Sequence, residues 1–191
     1  MPSILLSGPA LEPVTLAQAK DFIRVAHDDD DDVIAALIAG SRIHVEAQTR
    51  RALITQSWRL VRDAWPENGR IAILPVPLAT LAAARIYLAN GTTQAIDIAG
   101  FAVDRAAAPA MLSFTRGALT VPERSVGGIE IDVTCGYGDT PEDVPEPMRQ
   151  AIRLLVAHWY ENRGLVLAGQ TVVVLPETVS ALIAPYRVLA L

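Results

Sequence analysis

Apolar positions change period twice along this chain. They recur every three or four residues between about 15 and 50, alternate through much of 52 to 138, and return to helical spacing from about 144. The first helical signal is "TLAQAKDFIRV", in which Thr15 and Gln18 have capping-box spacing, so that hydroxyl and amide each satisfy an end N–H. Leu16, Ala19, Phe22 and Ile23 then share a face. A longer helix is predicted from about Asp29 to Arg50, with Ile34, Leu37, Ile38, Ser41 and Val45 as its buried stripe. Glu46 and Arg50 have the i,i+4 spacing of an exposed ion pair. The two helices are expected to pack antiparallel across a tight connection.

The middle of the chain reads as short strands. In "LITQSWRLV", Ile54, Trp58 and Leu60 fall on one face, and Thr55, Ser57 and Arg59 on the other. "RIAIL" is a second strand, followed by the proline-broken "PVPLAT". "ARIYLANGTTQAI" holds Asn-Gly between two strand-like runs, which predicts a hairpin turn because both residues tolerate positive φ. "FAVD", "MLSF" and "GIEIDVTCGY" add further strands, with "RAAAPA" and "PERSVGG" as loops.

Helical spacing resumes in "VPEPMRQAIRLLVAHWYENRG". Pro145 or Pro147 suits a first turn, where a missing N–H loses no bond. Met148, Ile152, Leu155 and Trp159 repeat at helical intervals, and Leu154, Val156 and Ala157 widen that face into a mostly buried helix. Gly164 is the expected stop, "LVLAGQTVVVLPET" an extended link, and "PETVSALIAPYRV" a last short helix ended by Pro185. The predicted class is α+β: a helical core of two N-terminal helices, a buried C-terminal helix and a short last helix, with a central antiparallel β-rich insertion. Residues 12–51 and 144–188 form the core and 52–138 the insertion of one domain spanning 1–191.

Composition narrows the function. Of 191 residues 51% are hydrophobic and 19% charged, ample for a core and unlike a disordered chain. The nearly uncharged runs are too short or too proline-broken for a bilayer span of ~20 residues, so no membrane partner is expected. "MPSILLSGPALEP" lacks the basic n-region of a secretory leader. The net charge is −5, Lys20 is the single lysine, and Arg50–Arg51 is the densest basic pair. A protein gripping DNA through phosphates needs clustered basic residues, so DNA binding is not the expected main activity. Cys135 stands alone within alternating "IEIDVTC", which reads as a small core residue rather than a nucleophile.

The sharpest candidate chemistry is "VAHDDDDDVIAALIAG", with Asp28, Asp29, Asp30, Asp31 and Asp32 in a row after His27. A calcium loop counted from Asp28 fails, because its sixth position is Val33 and its twelfth Ala39, where the glycine turn and bidentate glutamate belong. Asp28 or Asp29 can instead cap the long helix, with the remaining acids in the first turn favoured by its dipole. The surplus acids form a solvated face or a surface facing something that should not stick. His158 and Glu161 have a metal-compatible i,i+3 spacing, whereas His44 and Glu46 point apart. "CGYGDTPEDVPEP" lacks a phosphate-binding glycine pattern and brings Asp139, Glu142 and Asp143 instead. The expected catalytic, cofactor and metal residues are therefore none. The competing reading is a divalent-metal module or metal-dependent enzyme using His27 to Asp32.

The order of segments carries a resemblance. "TRRALITQSW", "GYGD" with its following prolines, "LLVAHWYENR" and a late "APYRV" resemble the head–tail connector (adaptor) family of tailed bacteriophages, prophages and gene transfer agents, from about Glu12 to Val188. The resemblance implies a structural protein, not an enzyme, located at the head–tail junction of a virion or phage-like particle and in the host cytoplasm during assembly. It implies a ring, usually of twelve copies, under the portal protein, extending the DNA channel and presenting a surface to stopper or tail components. The partners so implied are the portal, those components, further copies of the chain, and double-stranded DNA that passes without specific binding. A closed ring needs two unlike complementary patches on each subunit, and Trp65, Tyr87 and "GQTVVVL" are the candidates.

Overall fold

In the computed structural model, which describes residues 3–162 and 177–189, alternation along Ile129–Cys135 organises the β-rich part. Ile129, Ile131, Val133 and Cys135 are buried, while Glu130, Asp132 and Thr134 between them are partly exposed. This is the eighth strand, β8, preceded by β1 (Ser3–Ser7), β2 (Gln56–Arg62), β3 (Arg70–Ile73), β4 (Leu78–Tyr87), β5 (Thr93–Ile96), β6 (Ala102–Asp104) and β7 (Ala110–Ser113). The strands form two sheets, one ordered β1-β2-β8-β4-β5 and one ordered β3-β7-β6, antiparallel at every pairing. The α+β expectation is met.

The chain divides into two units. The first comprises Met1–Ala10, Thr55–Tyr137 and Val188–Leu191; the second comprises Leu11–Ile54 and Gly138–Arg187. In the first, Leu60 and Ala84 flank Ile131, and Ile86 faces Ile129, so three adjacent strands bury one apolar face. Asn90-Gly91 makes the predicted hairpin between β4 and β5: Gly91 has φ 81, and the Asn90 carboxamide accepts from the Thr92 N–H and hydroxyl. The small sheet buries Ile71, Ile73, Ala110 and Leu112 beside a cluster of Trp65, Phe101 and Phe114.

Gly128, at the entrance to β8, has no room for a side chain. A Cβ there would press on the Arg124 carbonyl and stand 2.8 Å from Pro122 Cβ. Its own carbonyl accepts from the Tyr87 N–H at 2.9 Å, so the backbone cannot move aside freely. Gly128→Ala is therefore expected to destabilise by about 1–3 kcal/mol, as overpacking does. A lower urea midpoint at unchanged slope is the readout.

The second unit contains α1 (Leu16–Ile23), α2 (Asp31–Thr49), α3 (Glu146–Glu161) and α4 (Glu177–Ile183). Thr15 and Gln18 form the predicted capping box. From α2, Ile34, Ile38, Ser41, Val45 and Thr49 are buried; from α3, Met148, Ala151, Ile152, Leu155 and Val156. Gly40 lies 3.7 Å, measured from its would-be Cβ, from the Trp159 ring, which allows α2 and α3 to approach there. Pro145 caps α3 and Pro147 sits within its first turn.

Several local expectations are corrected. Leu154 and Ala157 are only partly buried, because Arg149 and Arg153 occupy the other side of α3 and leave it two-faced. On α1 only Ala19 is buried, and Phe22 is exposed. Glu46 does not pair with Arg50. Arg50 adopts a left-handed conformation (φ 56) at the end of α2, which carries its side chain off the helix face. Glu46 instead accepts from Arg42 at 2.8 Å and from the Leu53 N–H at 2.9 Å. Strand β1 has no counterpart in the sequence pattern, since "SILLS" is too short and uniform to alternate. Gly164 and the "GQTVVVL" segment lie outside the described residues.

Candidate functional site

The aspartate run sits between α1 and α2. The backbone N–H of Asp31 donates to the Asp28 carbonyl and that of Ile34 to the Asp30 carbonyl, which winds the run into the start of α2. Asp30, rather than Asp28 or Asp29, occupies the cap position, and its side chain makes no capping bond. That carboxylate accepts from the Tyr160 hydroxyl, tying the start of α2 to the end of α3. Asp31 and Asp32 lie in the first turn, where the helix dipole favours them.

The chain's only lysine is committed here. Lys20 Nζ stands 2.6 Å from both Asp28 and Asp31. The hydrogen bonds to Asp28 and Asp31 raise the Lys20 pKa above its ordinary value, and the Lys20 bond lowers that of Asp28. Asp29 lies 3.8 Å from His27 Nδ1 and is almost fully exposed, and Asp32 is exposed as well. Thus Asp28, Asp30 and Asp31 have defined partners, while Asp29 and Asp32 face solvent.

Among the described residues no group of three or more His, Cys, Asp or Glu side chains is arranged to hold a metal ion. His44 packs edge-on against Trp159 with ring centroids 6.0 Å apart. The His158 carbonyl receives two bonds from Asn162, which fasten the end of α3. Cys135 is fully buried, and burial pushes its thiol up to about 12, so it has little thiolate at neutral pH. Trp65 donates from Nε1 to the Thr120 carbonyl at 2.8 Å, and Tyr87 donates to Glu130 beneath the Arg124 guanidinium. Both aromatic candidates for an interface have internal partners.

A second charged constellation was not anticipated. On the partly exposed face of the large sheet, Asp132 receives Arg59 at 2.7 Å and Arg85 at 2.6 Å, while Glu130 receives Arg85 at 2.7 Å and Arg59 at 3.3 Å. Four charges from three neighbouring strands balance one another. Arg59, then Arg85, holds Asp132 below the usual carboxylate range against the opposing effect of burial. Alternation in "SWRLV", "ARIY" and "IEIDV" places these side chains on one face each. Their pairing follows from register, which alternation alone does not supply. The second unit has its own network: Arg42, almost buried, bonds Glu12 and Glu46 at 2.8 Å each. Burial opposes its charge, yet the Glu12 and Glu46 contacts prevail and raise its pKa.

These networks are closed and serve the fold, and the comparisons with known proteins agree with an architectural class. The family matched is one of head–tail connector proteins, and the structural neighbours are chains of gene transfer agent necks and virions. Residues 105–187 match the model of the phage gp6-like head–tail connector protein family, which bears out the likeness read from the sequence. A chain from the neck of an empty gene transfer agent particle, computed with C6 symmetry, superposes with a TM-score of 0.83 at 26% identity, over 100% of this chain and 97% of that one. A chain from the virion of a native gene transfer agent particle gives 0.81 at 23% identity, over 100% and 97%. A third, from the neck of the native particle computed with C12 symmetry, gives 0.78 at 24%, over 98% and 97%. The latter two speak for the fold alone. No curated protein sequence matches the chain.

Proposed function

We propose that this protein is a subunit of the ring joining head to tail in a tailed phage or gene transfer agent particle. Twelve copies lie beneath the portal, extend the DNA channel and offer a surface to stopper or tail components. The observation that carries this reading is whole-chain superposition on a gene transfer agent neck chain at 26% identity with nearly complete mutual coverage. Among the described residues no helix is long and apolar enough to cross a membrane. Both units together act as one connector subunit.

The test is the mass of the purified chain alone and mixed with its portal ring, with and without calcium. A portal-dependent step near twelve chains that ignores calcium is the expected result. No association with the portal, or a species that requires calcium, would reject the ring and return His27 to Asp32 to metal binding.

Within this reading the run Asp28 to Asp32 lies along the channel wall, its exposed carboxylates Asp28, Asp29 and Asp32 giving passing phosphates no positive charge to bind. Asp29 and Asp32 make the clean probe, because neither supports Lys20 or Tyr160. Asp29→Asn with Asp32→Asn is expected to slow DNA ejection from assembled particles without changing ring mass. Unchanged retention and ejection would remove the channel role and leave the run as a helix entrance.

A further inference from the structure

The five-stranded sheet carries its charges in an unusual place. Arg59, Arg62, Arg85, Glu130 and Asp132 all lie on the interior strands β2, β4 and β8, and neither edge strand has a charged residue. Edge β1 is exposed along its whole length, with Ile4, Leu5 and Leu6 at 48, 47 and 46% exposure. Edge β5, "TQAI", is exposed at three of its four residues. Among the described residues, no backbone hydrogen bond joins β1 to any element but β2, or β5 to any element but β4. Proteins that keep sheet edges free place lysine, proline or inward charge on them, because unpaired N–H and C=O groups recruit further strands. This sheet does the reverse.

We propose that in the assembled ring the sheet continues from copy to copy, with β1 of one subunit pairing beside β5 of the next. The inference rests on the ring reading above and names the surface that closes it. A cyclic ring needs two unlike patches brought together by rotation, and this sheet has two unlike edges. Four successive antiparallel pairings leave β1 and β5 running in the same direction. Rotation about an axis along the strands therefore joins them as a parallel pair, with main-chain bonds supplying the contact. A β1–β1 pairing across a two-fold axis would close on itself as a dimer. Leu5 and its neighbours then lose their exposure against the adjoining copy, which accounts for three apolar residues on an unguarded edge.

The experiment uses the full chain carrying Leu5→Cys with Ala95→Cys, and separately Leu5→Cys with Gln94→Cys, so that both faces of β5 are sampled. Rings assembled on the portal are oxidised and run without reductant. Cys135 is buried with its thiol pushed up to about 12, so it contributes no background. A covalent ladder climbing toward ring size from either pair, with no ladder from single-cysteine chains, is the expected result. A ring of full mass with no ladder from either pair, or a dimer from Leu5→Cys alone, would overturn the edge pairing and leave the ring reading intact. Absence of any ring would overturn both. In a second arm Leu5→Lys, at a half-exposed position, is expected to keep its circular dichroism spectrum and lower ring yield at least tenfold. Full ring yield from that variant would also overturn the pairing.

Discussion

Leu155→Ala is expected to destabilise the protein by about 2–5 kcal/mol, the range for a buried leucine whose cavity closes only in part. Leu155 has no exposed surface and lies at the centre of the buried stripe of α3, between Ala151, Ile152 and Val156. That stripe faces α2 and α4, both anchored by isoleucines and valines that are themselves buried. Branched neighbours of this kind have few alternative rotamers with which to fill a void. Urea unfolding followed by the helical circular dichroism signal measures the effect. A loss below about 1 kcal/mol would mean that the helices collapse onto the cavity, and that α3 is not the main buried helix of its unit.

Asp132→Ala is expected to lower stability by about 2 kcal/mol, less than for a fully buried pair because the carboxylate keeps some contact with water. The substitution leaves Arg59 and Arg85 facing Glu130 alone on adjoining strands. The same carboxylate predicts a pH dependence. Its folded pKa is lowered, so its contribution is fully present above the ordinary aspartate value near ~4 and is lost as pH falls through the lower folded value. Wild type should therefore lose stability more steeply than Asp132→Ala as pH drops below ~4, and the two should converge. Parallel stability curves across that window would show that the Arg59–Asp132–Arg85 geometry contributes nothing net in solution.

Much of the architecture was legible in local pattern. Helical spacing placed α1, α2, α3 and α4, Thr15 and Gln18 marked a helix start, and Asn90-Gly91 marked a hairpin, because each signal depends on residues within a few positions. The order of segments was enough to show a likeness to the connector family, which the match over residues 105–187 supports. The aspartate run illustrates the limit. Its place at the entrance of α2 follows from sequence, but Lys20 and Tyr160 as partners do not, since both reach it across turns of chain whose path is set by packing.

What the sequence determined by itself is therefore the type and order of elements, through periodicities of two and 3.6 residues that any window of chain expresses. What only the tertiary structure decided is which strand lies beside which. That pairing joined the N-terminal β1 to β2, gathered Arg59, Arg85, Glu130 and Asp132 into one balanced face, and left two uncharged edges open. The physical reason is that register and strand order are settled by burial summed over residues far apart in the chain, a quantity no local pattern contains.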